Sequence, residues 1–309
     1  MVIQTNPDVI KDSEISVNEE YTYGLLLLFS VLAGATWPAG KIIAASLSPF
    51  AAAFYRYSIA LPIFLILMKT TGSWVSVNKR VHLKLAVLGF LGVTLYNFLF
   101  LEGVKNTAAS DASLIFAATP TFTILLSNYI NPDDKISKKK IVGVVTSLIG
   151  VSFIFLQSPN VEVTNRLLGN SLILLSTIVM ASYTAFSKPL FKEVSPTQFS
   201  TLTIFYGWLF LGILVLFEDV TYLSPQSFLK LTNEVRYSII YLGLFIAYAT
   251  IVYAHGIKKI GPSRSAIFIN LIPIFGVLSS IILLSEKFSL WYIPSFSLIM
   301  VGVYFINRK

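Results

Sequence analysis

One guanidinium stands almost alone in apolar surroundings. Arg56 lies seven residues into the otherwise uncharged run 49–68, roughly 10 Å from its start at helical rise. Inserting an arginine at membrane depth costs about 2.5–3.5 kcal/mol on translocon scales, so Arg56 is expected to face a protein interior with a partner or a ligand. Snorkelling of its head to the nearer surface is the structural alternative. Lys41 sits closer to the end of its run, 21–45, and snorkels more easily. Glu102 and Asp111 stand at the outer ends of the runs 81–102 and 108–129, where either carboxylate could gate the outer mouth by pairing with Lys41 or Arg56; separate, solvated end-of-helix charges are the structural alternative. Pro120 and Pro273 fall mid-run, where a missing N–H leaves carbonyls for a cavity or a neighbouring helix to satisfy. Trp37, Tyr96, Asn97, Tyr183, Tyr206, Tyr248 and Asn270 could line a cavity with aromatic walls and two amides. Packing and interfacial anchoring are the structural alternatives for the aromatics.

This is chemistry of binding and gating rather than of bond making. His82 and His255 are far apart, and the sequence has no HExxH motif, Walker loop or GxSxG elbow. There is no cysteine, which removes thiol redox and thiolate metal ligands. No catalytic residue, metal or cofactor is therefore expected.

The elements that must position these residues are long apolar helices. The chain has 309 residues, 55% hydrophobic and 12% charged, against about 25% charged in soluble domains. Its apolar residues come in blocks of about 20, enough to cross a hydrocarbon core of about 30 Å. Ten spans are expected, at 21–45, 49–68, 81–102, 108–129, 140–157, 168–188, 196–217, 236–255, 263–284 and 289–306. The connections are short and carry turn residues such as Ser48-Pro49, Asn131-Pro132 and Gly261-Pro262; only 218–235 is long. Residues 1–20, with five acids and one lysine, read as a disordered acidic tail and not as a secretory signal.

The net charge of +8 could suggest nucleic acid, but the Lys and Arg lie in short segments between apolar runs, which is a topogenic pattern. No nucleic-acid partner is expected. Most of these cations, including Lys79, Arg80, Lys138, Lys139, Lys140, Lys258 and Lys259, fall on the same side as the two termini. The expected topology therefore places both termini in the cytoplasm, with the plasma membrane as the location and the lipid bilayer as solvent.

The chain also repeats itself. Ser110, Pro120, Phe122 and Asp133 match Ser263, Pro273, Phe275 and Glu286 at a constant offset of 153. Lys41, Ser48 and Pro49 match Lys188, Ser195 and Pro196 at 147, and Gly89 matches Gly243 at 154. Two five-span units, 21–157 and 167–307, follow. Because five is odd, the second runs through the membrane inverted, as in many secondary transporters.

The segments that carry this repeat resemble a known family. GPSRSAIFINLIPIFGVLSSIILLSEKFS with the later GVYFIN, the earlier KNTAASDASLIFAATPTFTILLS, and WPAGK with FYRYSIALP are similar to the drug/metabolite transporter superfamily, EamA type. The chain departs from the usual pattern at Asn131-Pro132-Asp133-Asp134 and at Glu102. The resemblance implies ten helices and gradient-driven export or exchange of a small-molecule substrate, amino acids or related metabolites first. A coupling proton or counter-substrate would supply the driving force. A nucleotide-sugar or phosphorylated-sugar exchanger of the same fold is the alternative, followed by a non-transporting membrane bundle.

Overall fold

The computed structural model describes residues 7–130, 137–156 and 165–307. Among them the chain forms thirteen α-helices and no strand. In the first half these are α1 (Pro7–Ser46), α2 (Pro49–Thr70), α3 (Lys79–Gly89), α4 (Tyr96–Asn106), α5 (Ala109–Phe116), α6 (Thr119–Ile130) and α7 (Lys138–Phe155). The second half has α8 (Arg166–Ser187), α9 (Pro196–Glu218), α10 (Pro225–Lys230), α11 (Asn233–Ile260), α12 (Pro262–Leu284) and α13 (Tyr292–Asn307). Helix starts follow the local sequence: the hydroxyls of Ser48 and Ser195 accept the N–H of Ala51 and Gln198, each just before a proline at the first helical position.

Among the described residues eight helical spans are long and apolar enough to cross a membrane, two of them made of α3 with α4 and of α5 with α6. The fifth and tenth expected spans correspond to α7 and α13, of 18 and 16 residues; α7 opens on Lys138-Lys139-Lys140. Large hydrophobic side chains stand exposed along the helices. In the span Arg264–Leu284 only 22% of the most apolar window is buried, and Ile267, Leu278, Ile282 and Leu283 stand exposed. Lipid is the solvent that such a face requires.

Three expectations about the helices change. The stretch 108–129 is not one helix: it breaks at Ala117-Ala118, and Pro120 becomes the second residue of α6. The Phe116 carbonyl beside the break accepts the Thr119 hydroxyl at 2.5 Å. Pro273, its match, stays inside an unbroken α12. The run 81–102 is interrupted by a π-helical turn, Phe90–Leu95, in which the Tyr96 N–H reaches back five residues to Leu91 O. Helix α1 begins at Pro7, within the stretch read from sequence as a tail. The expected turn at Asn131-Pro132 lies outside the described residues.

Packing follows the sequence repeat. Helix α1 lies against α11 and α12, as α8 lies against α4 and against α5 and α6. Pairs of matched helices meet each other: α2 with α9, α5 with α12, α7 with α13. Two glycine contacts show how closely the halves correspond. A Cβ at Gly89 would come 2.5 Å from the Thr203 carbonyl, and one at Gly243 would come 2.8 Å from the Arg56 carbonyl. Gly89 matches Gly243, and Thr203 matches Arg56 at the offset of 147. The same backbone crossing is thus made twice.

Candidate functional site

Arg56 is buried, 7% exposed, on the inner face of α2. Its Nη1 donates to Asn97 Oδ1 at 2.9 Å, and its guanidinium carbon lies 5.9 Å from the Phe100 ring centre. Asn97 is fully buried, and its Nδ2 donates to the Val93 carbonyl at 2.7 Å and to the Tyr57 hydroxyl at 3.1 Å. Those two bonds fix the amide so that its oxygen faces the arginine. The π-helical turn sits just before Tyr96, Asn97 and Phe100, and its wider winding sets the direction in which they project. Tyr96 stacks on Phe100 at 5.9 Å, Trp37 meets Phe100 and Phe116 edge-on at 5.4 Å each, and Tyr57 and Tyr96 lie within electrostatic reach of Arg56. Arg56 Nε and Trp37 Nε1 are buried without a hydrogen-bond partner among the described residues.

One helical turn beyond Trp37, where α1 ends and α5 and α8 begin, lies a second group. Lys41 Nζ is 2.7 Å from the Thr107 carbonyl and 3.5 Å from Glu286. Glu286 accepts the backbone N–H of Ala109 at 2.8 Å and of Ser110 at 3.0 Å, and the Ser110 hydroxyl at 2.7 Å. Helix α5 has no capping side chain of its own at Ala108, so a carboxylate from the other half serves its orphan N–H groups and its dipole. Asp111, fully buried, takes a forked pair from Arg166, Nε to Oδ2 at 2.6 Å and Nη2 to Oδ1 at 2.9 Å. Tyr292 also hydrogen-bonds Asp111, and Thr107 Oγ1 bonds Asn170 at 2.5 Å. Each half therefore lends one cation and one carboxylate across the seam.

The expected gate pairs are corrected by this geometry. Asp111 is held by Arg166 and not by Lys41 or Arg56, and Lys41 is held by Glu286. Glu102 is half-buried and bonds within its own helix to Asn106 Nδ2 at 3.2 Å. Chain distance hid the partners, but a local signal existed: Arg166 is the first residue of α8, where the helix dipole disfavours a cation unless a carboxylate meets it.

The remaining expected residues fall elsewhere. Tyr183 packs on Gly92 and lies 3.4 Å from Thr203 Oγ1, on the far flank of Tyr57. The Tyr206 hydroxyl is 2.9 Å from His82 Nδ1, between α3 and α9. Tyr248 belongs to an aromatic group with Phe245 and Phe29 between α1 and α11. Asn270 is half-buried on α12, one turn before Pro273. Trp37, Arg56, Tyr96 and Asn97 are thus brought together, Lys41 and Asp111 form the layer next to them, and the other five, Glu102 included, are not part of either group.

The model of the EamA-like transporter family matches residues 21–156 and 167–308. An uncharacterized transporter of Bacillus subtilis (strain 168), YyaM, is 28% identical over 84% of this chain and 84% of its own. An uncharacterized transporter of Archaeoglobus fulgidus is 26% identical over 89% of this chain and 95% of its own. A solved crystal structure aligns with a TM-score of 0.60 at 14% identity, covering 92% of this chain and 95% of that one, a likeness of fold.

Proposed function

The chain belongs to the EamA-like transporter family and is a multi-pass integral membrane protein, and on that premise we propose that it is a secondary carrier of small metabolites working by alternating access. In this reading ten helices form two inverted five-helix units, with both termini cytoplasmic. The single observation that carries it is the reciprocal pair of ion pairs, Lys41–Glu286 and Arg166–Asp111. Both cross the seam between the halves, and both lie at the same end of the bundle. A static bundle gains little from buried ion pairs, because desolvation offsets most of their attraction. A carrier uses them, since pairs formed in one state and broken in the other bias the exchange between states by 1–3 kcal/mol or more.

In the assigned topology that end is extracellular, so the arrangement is the state with its outer mouth shut. Amino acids or related small metabolites are the substrates this reading favours, exported or exchanged against a proton or a counter-substrate. The Lys41 side chain lies one turn from Trp37 on α1, so opening the pairs would uncover the Arg56 group beneath.

Counterflow in proteoliposomes tests the reading. Vesicles loaded with a metabolite mixture should take up labelled substrate faster than empty vesicles, because a carrier returns more quickly when loaded. Uptake that is indifferent to the internal load would mean a channel, and no uptake of any solute would mean a structural protein.

A further inference from the structure

We infer that the group around Arg56 is a binding site for an organic carboxylate with a flat or compact apolar body; the inference rests on the carrier reading for its purpose but not for its test. The charge on Arg56 has no carboxylate within ion-pair distance among the described residues, although the group is 7% exposed inside a membrane bundle. One amide oxygen accepts from it and one ring face lies beside it, with Tyr57 and Tyr96 in electrostatic reach, and none of these is an ionised partner. A buried guanidinium normally acquires an ionised partner, because removing it from water is otherwise costly. The carboxylates of the layer next to it, Asp111 and Glu286, are already held by Arg166 and Lys41. No carboxylate among the described residues supplies the counter-charge, and a carboxylate ligand would.

The hydrogen-bonding inventory has the same sign. Arg56 Nε and Trp37 Nε1 are buried donors without acceptors among the described residues. The Asn97 amide is consumed on both sides, its oxygen by Arg56 and its nitrogen by Val93 and Tyr57. What remains is a pair of N–H donors from α1 and α2, both packed around the Phe100 ring. Arginine is suited to carboxylates because its planar fork matches their two oxygens. Trp37, Tyr96, Phe100 and Phe116 supply apolar ring faces and edges for the rest of the molecule. Tyr96 offers a hydroxyl acceptor and the rings offer π-faces, but an amine without a carboxylate would bring like charge to Arg56 and leave its fork unpaired.

The specificity is therefore set by the head group, and matched probes read it. Purified protein in detergent is titrated with phenylacetate, phenylacetamide and phenethylamine, and with butyrate, butyramide and butylamine. Melting temperature reports binding, since a ligand of the folded state raises it. Carboxylates should stabilise the wild type saturably while the amides and amines do not. Trp37→Phe keeps the aromatic wall but loses a donor, and should weaken carboxylate binding. Arg56→Gln should abolish it. Should that variant not survive purification, Arg56→Lys carries the test, with affinity expected to fall about tenfold or more as the charged fork is lost. Equal stabilisation by amide or amine, no stabilisation by any carboxylate, or unchanged carboxylate affinity in the Arg56 variants would overturn the inference. Counterflow of some other solute without carboxylate binding would remove this site and leave the carrier. Carboxylate binding without any counterflow would do the reverse.

Discussion

Arg166 grips Asp111 with both arms of its fork, Nε at 2.6 Å and Nη2 at 2.9 Å, across the seam between the two halves of the chain. Fifty-five residues separate them, and the carboxylate is fully buried. The pair is thus a joint between two units that must move past one another if the protein is a carrier.

Reversing the joint tests its role. Asp111→Arg and Arg166→Asp should each lower transport at least tenfold, because a lone buried charge costs about 3–5 kcal/mol. Combined, they should recover part of the loss in a double-mutant cycle. Losses that simply add would show that the two residues act separately.

The Lys41–Glu286 pair predicts a change in access. The chain has no cysteine, so Ser113→Cys, at a position 1% exposed beneath this layer, is a single clean reporter. An impermeant thiol reagent added outside should modify it slowly in the native background and several-fold faster with Glu286→Gln. Equal rates in both backgrounds would mean that Glu286 only caps α5.

Topology is checked at two positions outside the long apolar helices, one half-buried (Ser73) and one exposed (Gln226). Ser73→Cys lies between α2 and α3, and Gln226→Cys lies in α10. In intact cells the reagent should label Gln226→Cys and spare Ser73→Cys. The opposite pattern would invert the assignment and place the paired charges at the cytoplasmic mouth.

The duplicated crossing predicts matched stability losses. Gly89→Ala and Gly243→Ala each push a methyl into a backbone carbonyl, and overpacking of this kind costs about 1–3 kcal/mol. Both should melt at lower temperature by comparable amounts. Gly24→Ala meets nothing within 4 Å and should be neutral or slightly stabilising, since alanine favours a helix over glycine. A Gly243→Ala protein as stable as the wild type would contradict the close approach.

What the sequence determined by itself is what short-range physics determines. Apolar blocks too long for a soluble core fixed an all-helical membrane protein, and proline, glycine and lysine recurring at near-constant offsets exposed two related halves. The isolated charge in 49–68 marked Arg56, and a buried amide's need for partners marked Asn97. Tertiary structure decided who meets whom. Glu286 reaches the N-terminus of α5 from 176 residues away, and Arg166 displaces Lys41 and Arg56 as the partner of Asp111. Pairing across a duplicated seam depends on how the halves dock, and no periodicity within one run encodes that. The break before Pro120, against the unbroken helix through Pro273, differs in kind, because it has a local contact beside it. The Thr119 hydroxyl occupies the Phe116 carbonyl three residues back, whereas the matched position before Pro273 is Ile272, which has no hydroxyl to give.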